Sequence, residues 1–367
     1  MVRVRVATHD EDTVRTIHAA LDAREPIALL HAKFPEAELA RQRALVEDAT
    51  FEPGDAVVLF TSGSTGAARG VVLSRDAIEA AAAASWEHLG RRDDDRWLCP
   101  LSLAHAGGLS IIVRCRAAGI AYELVDGACS WSCAGTLISL VPTQLADLQP
   151  WPELRAALLG GASAPRPLVD AALARGVPVL QTYGLTETFG QIATAKVPGG
   201  PLIPLPGVTI TGGTREAPAR LCVRGPMLAT RYLDGERIAP ELNTSDLGFV
   251  EDGIVYVIGR ADDVIITGGE NVDPSQVESV IAATPGVREV AAFGLADERW
   301  GEVVAIAIAV DDAFDRARSR DEWHRALAPH ARPRRLALTT GALPRLPSGK
   351  LDRRAIASLP TSLIEYA

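Results

Sequence analysis

Lysine is nearly absent from this chain of 367 residues. Only Lys33, Lys196 and Lys350 are lysines, and the rest of the 37 basic side chains are arginines. Such a bias is typical of genome composition, but each lysine is still of interest, because arginine cannot replace a compact ammonium at every site. The 46 acidic residues leave a formal net charge of −9, and no basic stripe dominates the sequence. These features argue against a nucleic-acid-binding protein.

Cysteine is also scarce. The chain has five cysteines at irregular spacing, and its first six residues, MVRVRV, alternate like a strand and lack the apolar core of a signal peptide. We therefore expect reduced, packed thiols rather than disulfides. Cys129 and Cys133 have a spacing that would suit half of a metal site, but no matching pair of histidines lies near them.

Long apolar runs are missing as well. Nothing in the sequence approaches the roughly 18 consecutive apolar residues of a membrane helix, so we expect a cytoplasmic protein without membrane insertion. Apolar residues nevertheless make up 47% of the chain, which is enough for a sizeable core. The length corresponds to about two or three domains.

Apolar runs alternate with helical patterns up to about residue 200, which predicts an α/β core. Ser74 is a typical N-cap and Gly90 a typical helix stop, so a helix is predicted over 75–89. Beyond residue 200 the pattern changes to short strands and Gly/Pro turns, and beyond Arg260 to a smaller α+β unit. The other predicted strands are 57–60, 71–73, 110–113, 120–125, 137–141, 177–180, 288–294 and 303–310, and the other predicted helices are 166–175, 274–283 and 320–328.

The segment 61–70, TSGSTGAARG, follows the first buried strand. Its glycines let backbone N–H groups converge on an anion and its hydroxyls add donors, so a phosphate cradle is one interpretation. It is not a Walker A loop, because no lysine follows a glycine and a strand follows instead of a helix. Taken alone, the segment is equally compatible with an ordinary Ser/Gly turn.

Four further segments follow in the order found in one superfamily. They are YGLTE at 183–187, TSDLG at 244–248, GRADD at 259–263 with Gly268 and Gly269, and PSGKL at 347–351. Together with SGSTGAARGV at 62–71, they resemble the adenylate-forming superfamily of acyl-CoA synthetases, aryl-acid ligases, luciferases and peptide-synthetase adenylation domains. The resemblance implies an α/β fold: a large domain of β-sheets flanked by helices with a β-rich subdomain, at residues 1–259, and a small mobile α+β domain at 260–367.

The chemistry that this resemblance implies has two halves. A carboxylate attacks the α-phosphorus of ATP with Mg²⁺ present, and CoA then displaces AMP from the acyl-adenylate. The protein must supply donors, cations and in-line positioning. By resemblance, Glu187 is the Mg²⁺ ligand, Thr186 donates to the α-phosphate, Arg260 contacts the ribose and phosphate, and Lys350 brings an ammonium to the α-phosphate and the substrate carboxylate.

Nucleotide contacts and a hinge are implied in the same way. Asp262 matches the hinge about which the small domain swings, and Gly268 and Gly269 match the wall of the CoA channel. Tyr183 is expected to pack on adenine and Asp246 to accept from the ribose hydroxyls. The nucleotide-binding set is Thr61, Ser62, Gly63, Ser64, Thr65, Gly66, Arg69, Gly161, Ala162, Tyr183, Gly184 and Asp246.

The chain departs from the superfamily pattern at three points. Arg69 stands where lysine is usual, and Ser245 replaces a common glycine. Only 60 residues precede Thr61, where typical members carry well over one hundred. We therefore expect an abbreviated N-terminal subdomain whose uncovered surface is shielded by a second subunit, in a homodimer.

The segment 98–114, LCPLSLAHAGGLSIIVR, is similar to a stretch of the o-succinylbenzoate–CoA ligases of menaquinone biosynthesis. The resemblance places His105, Gly108 and Thr143 at the acyl substrate, with Arg114 as partner of its second carboxylate. The alternatives are a loop histidine held by the backbone and a solvated helix arginine.

Other functions also fit the motifs. Another aryl- or acyl-CoA ligase would share every nucleotide motif and differ around 104–114. An amino-acid adenylation enzyme fits less well, because we find no carrier domain and no aspartate placed for an α-amine. A nucleotide-binding protein without catalysis is disfavoured by the presence of Glu187, Asp246 and Lys350.

Overall fold

The computed structural model describes residues 2–61, 68–125, 135–238, 240–261, 263–345 and 351–364. The chain divides into two compact units, one of Met1–Ala162, Val169–Thr244 and Phe249–Tyr256, and one of Ser163–Leu168, Ser245–Gly248 and Val257–Ala367. Among the described residues, no helix combines the length and the apolar composition that crossing a bilayer requires.

In chain order, the helices and strands are β1 (Arg3–Ala7), α1 (Glu11–Ala23), β2 (Ile27–His31), α2 (Glu36–Glu47), β3 (Asp55–Phe60), β4 (Gly70–Ser74), α3 (Arg75–Leu89), β5 (Arg96–Cys99), α4 (Ala106–Ala118), β6 (Ala121–Leu124), β7 (Leu137–Leu140), α5 (Pro142–Leu145), β8 (Ala156–Leu159), α6 (Arg166–Ala174), β9 (Val179–Leu185), β10 (Gly190–Ala195), β11 (Leu202–Pro204), β12 (Thr209–Thr211), β13 (Ala219–Arg224), β14 (Arg231–Tyr232), β15 (Leu242–Glu251), β16 (Ile254–Arg260), β17 (Ile265–Thr267), β18 (Glu270–Val272), α7 (Pro274–Ala282), β19 (Val287–Asp297), β20 (Gly301–Val310), α8 (Arg316–Ala326), β21 (Arg335–Thr339), α9 (Arg353–Ala357) and β22 (Ser362–Leu363).

The first sheet has the strand order β1-β2-β3-β4-β14. Its first three strands are parallel, whereas β4 runs antiparallel to β3 and to β14. Strands β2 and β3 are buried along their whole length, and all their residues are apolar except His31 at the end of β2 and Asp55 at the start of β3. Since β3 and β4 pair directly, Thr61, which follows β3, and Arg69, which precedes β4, lie at one end of this sheet.

A second, larger sheet has the order β12-β13-β15-β16-β11-β10-β9-β8-β7-β5-β6. Strands β6, β5, β7, β8 and β9 are parallel, as expected from the alternation of strands and helices. Beyond β9 the pairing changes: β10 runs antiparallel to β9, β11 to β10, and β16 to β11. The carboxyl ends of β8 and β9 therefore lie side by side, the edge at which parallel sheets usually bind ligands.

The helix predicted over 75–89 has these bounds in the structure. The Ser74 side chain accepts a hydrogen bond from the backbone of Ala77 over 3.1 Å, and Gly90 ends the helix in the left-handed region at φ 63°. Both caps are local, which is why the sequence was sufficient to locate them.

The strand predicted over 110–113 is wrong. These residues lie within helix α4, whose buried residues run without interruption from Gly108 to Cys115. A helix that is buried on nearly every side has no polar face, so a short stretch of it has the same apolar pattern as a buried strand.

The second unit contains the third sheet, ordered β18-β17-β20-β21-β22, with β19 also paired to β20. Helices α7 and α8 cover one face through residues such as Ile281 and Trp323, and α9 covers the other through Ile356. The unit therefore has its own hydrophobic core on both faces of the sheet. The architecture as a whole is the predicted α/β class.

Candidate active site

The base of the 61–70 segment is closed by two hydrogen bonds between its ends. The Thr61 N–H donates to the carbonyl of Arg69 over 2.9 Å, and the Arg69 N–H donates to the Thr61 hydroxyl over 3.3 Å. The predicted phosphate ligands between them, Ser62, Gly63, Ser64, Thr65 and Gly66, lie outside the described residues.

Arg69 makes three contacts with the short segment 232–236, which begins at the last residue of β14. Its Nη2 pairs with Asp234 at 2.7 Å and with Glu236 at 2.6 Å, and its guanidinium lies 3.6 Å from the centre of the Tyr232 ring. Burial alone would lower the pKa of Arg69, but the hydrogen bonds to Glu236 and Asp234 outweigh it and hold that pKa above its ordinary value.

Glu187 is held at its backbone by Ala229 and at its side chain by Tyr232. It lies in a short 3-10 helix, Thr186–Thr188, that follows β9. Its carbonyl accepts from the Ala229 N–H over 2.7 Å, and its Oε1 accepts from the Tyr232 hydroxyl over 3.0 Å. Burial and the nearby charge of Glu187 raise the pKa of Tyr232, so Tyr232 stays a hydrogen-bond donor at neutral pH.

The donor set around Glu187 fits Mg²⁺ better than a transition metal. Within the described part of the chain, no group of three or more His, Cys, Asp or Glu side chains converges as a complete metal site. Mg²⁺ is commonly held by one or two carboxylates and completes its shell with phosphate oxygens and water. A single carboxylate fixed by a hydrogen bond, as Glu187 is by Tyr232, meets the protein's part of that requirement.

Small residues bring the ends of β8 and β9 together. A Cβ on Gly160 would lie 2.3 Å from Oγ1 of Thr182, so only glycine allows this close approach. Gly161 follows with φ 80°, and Ala162 lies next to it at the surface. Tyr183 and Gly184 continue β9 opposite Ala193 and Gln191 of β10, and the half-buried Tyr183 packs on the main core.

Arg114 is buried, with only 3% of its surface exposed, so the alternative of a solvated helix charge is wrong. Its Nε and Nη2 donate to the carbonyl and the hydroxyl of Ser110, and its Nη1 donates to Ser85 at 2.8 Å and to Gln191 at 2.7 Å. The guanidinium also lies 4.7 Å from the centre of the Trp97 ring. Burial lowers the pKa of Arg114 to about 10, so it stays charged at neutral pH.

Four of the five N–H groups of this guanidinium thus have acceptors among the described residues, and one on Nη2 is left for another acceptor. None of those acceptors is a carboxylate. Sequence reasoning missed Ser85 and Gln191, because they come from α3 and β10 and no local signal links them to Arg114.

His105 is the N-cap residue of α4, and its ring lies 4.9 Å from that of His31, centre to centre. His31 ends β2, is buried, and its Nδ1 accepts from the Lys33 N–H over 3.1 Å. Burial lowers the pKa of His31, and the Lys33 charge adds to the effect. Sequence reasoning missed His31; the available signal was a polar residue at the end of a fully apolar strand.

Gly108 lies at a close contact between two backbone segments, whereas Thr143 lies at the surface. A Cβ on Gly108 would lie 2.4 Å from the carbonyl oxygen of Ser102, so this glycine lets the first turn of α4 pack on the preceding loop. Thr143 is exposed on the short helix α5, directly after β7.

The remaining predicted residues belong to the second unit. Asp246 is on β15 and Arg260 ends β16, and a hydrogen bond of 2.7 Å from Ala261 to Ser245 joins these two segments. Gly268 has φ 60° and leaves no room for a Cβ beside the Trp300 ring, while Gly269 has φ 86°. Asp262 and Lys350 lie outside the described residues, as do Cys129 and Cys133.

Comparison with known proteins gives consistent matches. A family model described as AMP-binding enzyme matches residues 2–233, and one described as AMP-binding enzyme C-terminal domain matches residues 276–350. A 2-succinylbenzoate–CoA ligase of Bacillus cereus is 34% identical over an alignment that covers 82% of this chain and 69% of the relative.

Solved structures agree with this assignment. The o-succinylbenzoate CoA synthetase of Bacillus subtilis in complex with the acyl-adenylate intermediate OSB-AMP matches with a TM-score of 0.87 and 26% identity, covering 99% of this chain and 89% of that one. The same enzyme in complex with ATP and magnesium ion matches with a TM-score of 0.84 and 26% identity, covering 96% and 88%. The resemblance drawn from five sequence segments is thus confirmed, and the chain belongs to the AMP-binding enzyme family.

Proposed function

We propose that the chain is an ATP-dependent acid–CoA ligase whose acid is 2-succinylbenzoate, the activity named for its relatives and a step of menaquinone biosynthesis. Family membership and the 34% identity to a 2-succinylbenzoate–CoA ligase support the reaction. The observation that carries the choice of a dicarboxylic acid is the buried Arg114, a cation with only neutral partners among the described residues.

Arg114 would recognise the carboxylate that does not react. A buried cation without a counter-ion is costly, and a ligand carboxylate that accepts from its remaining Nη2 hydrogen would offset that cost. Ser85, Ser110 and Gln191 fix the guanidinium, so it is oriented before the acid arrives. His105 would lie near the reacting end, with Gly108 and Thr143 lining the acyl site.

In the first half-reaction, the reacting carboxylate attacks the α-phosphorus of ATP and pyrophosphate leaves. The residues that would hold the nucleotide are the 61–70 segment with Thr61 and Arg69, the Gly161-Ala162 turn, Tyr183 and Gly184, and Asp246 with Arg260. Thr186 would donate to the α-phosphate and Glu187 would hold Mg²⁺. Mg²⁺, when bound, neutralises phosphate charge and orients the leaving pyrophosphate.

Lys350 would place an ammonium between the α-phosphate and the reacting carboxylate, where opposing negative charges must approach. In the second half-reaction the CoA thiol attacks the acyl carbon and AMP leaves. We propose domains at 1–259 and 260–367 with a hinge near Asp262, and a CoA channel beside Gly268 and Gly269. Their small size and positive φ values suit a narrow passage.

The experiment is to measure the release of AMP and pyrophosphate from Mg-ATP with a panel of acids, with and without CoA. The panel contains 2-succinylbenzoate, benzoate, a medium-chain fatty acid and several amino acids. We expect turnover with 2-succinylbenzoate and AMP release that depends on CoA. Turnover with another acid would support the ligase activity but contradict the choice of 2-succinylbenzoate as substrate. ATP binding without pyrophosphate release would contradict the ligase activity itself.

We also propose that the enzyme acts in the cytoplasm as a homodimer. Light scattering of the purified protein tests the assembly, and a mass of one chain, 38.8 kDa, would contradict it. Fractionation of cells that express the chain tests its location.

A further inference from the structure

Strand β14 is anchored in the core by a buried ion pair. Arg231 donates from both Nη atoms to the two carboxylate oxygens of Asp55, over 3.0 and 2.7 Å, and also to the carbonyl of Thr50. Asp55 begins β3, the strand that leads into the 61–70 segment. A bidentate pair of this kind fixes both the position and the orientation of the residue that carries it.

The strand is then fixed against β4. Arg231 and Tyr232 pair with Val72 and Val71, and the N–H of the next residue, Leu233, donates to Gly70 over 2.8 Å. A Cβ on Gly70 would lie 2.3 Å from the Leu233 side chain, so any other residue here would force that side chain to move. Because neighbouring strand residues point to opposite faces, Tyr232 points away from the side on which Arg231 meets Asp55.

On that opposite side, Tyr232 links the two charged groups of the nucleotide site. Its hydroxyl donates to Oε1 of Glu187 over 3.0 Å, and its ring lies 3.6 Å from the Arg69 guanidinium. The Tyr232 N–H donates to the carbonyl of Glu236, whose side chain pairs with Arg69. Tyr232 therefore contacts both the cation that ends the phosphate segment and the carboxylate expected to hold Mg²⁺.

This arrangement uses features that distinguish arginine from lysine. A planar guanidinium stacks on a ring while its N–H groups reach two carboxylates, here Asp234 and Glu236. An ammonium has neither the planar face nor the reach. With two carboxylates already beside it, the charge of Arg69 is largely compensated before a phosphate arrives.

We propose that Tyr232 and Arg69 are positioning residues for Glu187: Arg69, clamped by Asp234 and Glu236, holds the Tyr232 ring, and the Tyr232 hydroxyl holds one oxygen of Glu187 so that the other faces the metal bound with the nucleotide. The inference rests on the proposed function only in taking Glu187 as the Mg²⁺ ligand. It assigns to Arg69 a role different from the direct phosphate contact expected from the sequence.

The test measures nucleotide binding rather than turnover. Isothermal titration calorimetry with an ATP analogue that has a methylene bridge between the α- and β-phosphorus gives Kd values with Mg²⁺ and with EDTA. Their ratio is the gain in affinity due to the metal. Tyr232→Phe keeps the ring and removes the hydroxyl, and we expect it to lower that gain about tenfold, because a hydrogen bond to a charged group is lost. The Kd in EDTA should stay within about twofold of the wild-type value.

Three further proteins make the result specific. Arg69→Lys keeps the charge and should also lower the gain, as should the double substitution Asp234→Asn with Glu236→Gln on the exposed turn. Tyr256→Phe is the matched control, because the Tyr256 ring stacks on Phe249 and lies 5.5 Å from the guanidinium of Arg215. It should leave both Kd values unchanged.

The outcomes separate cleanly. An unchanged gain in Tyr232→Phe, or equal weakening with Mg²⁺ and with EDTA, would overturn the role of Tyr232. If Arg69→Lys binds the ATP analogue more weakly mainly in EDTA, Arg69 is a direct phosphate ligand, and its positioning role is contradicted. If the Tyr232→Phe protein has a lower melting temperature than the wild-type protein, the positioning role is judged from the Asp234→Asn/Glu236→Gln protein instead. No acid is present in these titrations, so failure of the acid panel would leave them unaffected.

Discussion

Nη1 of Arg114 donates to Oε1 of Gln191 over 2.7 Å, and this hydrogen bond joins helix α4 to strand β10. The same nitrogen reaches Ser85 on α3, so three elements meet at one buried cation. Gln191 precedes an irregularity in the pairing of β10 with β9. The guanidinium is therefore held by the main fold of the unit and not by its own helix alone.

Replacement of Arg114 should weaken binding of the acid substrate and leave binding of the nucleotide unchanged. In Arg114→Met we expect the KM for 2-succinylbenzoate to rise about 30-fold, because a charge-assisted hydrogen bond is lost, while the KM for ATP stays the same. Initial rates over a range of both substrates measure this. Arg116→Met, on the same helix and paired with Asp22, is the control. Equal rises in both KM values would contradict the assignment.

Replacement of Lys350 should separate the two half-reactions. In Lys350→Ala we expect adenylation to be lost, because the ammonium that offsets the charge of the α-phosphate and the carboxylate is gone. Conversion of a presynthesised acyl-adenylate to the thioester should persist. Asp262→Pro, at the expected hinge, should show the opposite pattern. Loss of both half-reactions in Lys350→Ala would show that Lys350 has a broader role.

The stability of the protein should fall below neutral pH. Burial lowers the pKa of His18, His31 and His88 from the ordinary value of 6.5, so the unfolded chain takes up these protons at a higher pH than the folded protein does. The contribution of these histidines to the free energy of unfolding is therefore largest above pH 6.5 and decreases as the pH falls below that value. Urea unfolding between pH 5 and 8 measures the slope.

His31→Phe should make that slope shallower, because the ring is kept and the titrating group is removed. His324→Gln on α8, in the second unit, is the control. A slope in His31→Phe equal to that of the wild-type protein would contradict the assignment of His31 as a contributor.

The ion pair between Asp95 and Arg155 should be important for stability. Both carboxylate oxygens of Asp95 accept from Arg155 over 2.7 Å, and the Asp95 side chain is fully buried. Arg155→Leu leaves that charge unpaired and should lower the free energy of unfolding by about 3–5 kcal/mol. Denaturant unfolding measures the loss, and Asp95→Asn in the same background should restore part of it.

An exposed pair provides the comparison. Arg318 and Glu322 lie one turn apart on α8, at 2.9 Å. Arg318→Leu should change the free energy of unfolding far less than Arg155→Leu does, because water already screens this pair. Similar losses in Arg155→Leu and Arg318→Leu would mean that burial does not set the strength of the Asp95 pair.

Features that depend only on residues adjacent in the sequence were predictable. The helix from Arg75 to Leu89 was located by its own caps, Ser74 and Gly90, because a cap needs only the adjacent backbone. Short motifs identified the family for the same reason, since a phosphate loop or a Tyr-Gly-Leu-Thr-Glu turn is a continuous piece of chain. The segment 110–113 failed because burial on all sides removes the periodicity that separates a helix from a strand.

The sequence by itself determined the α/β class, the family and the identity of the charged groups, because each of these is carried by a local pattern of residue types. Only the tertiary structure decided what those groups contact. Arg114 meets Gln191, 77 positions away, and Arg69 meets Asp234 and Glu236, more than 160 positions away. Such contacts depend on which strands lie next to one another, and strand order is set by the packing of the whole sheet.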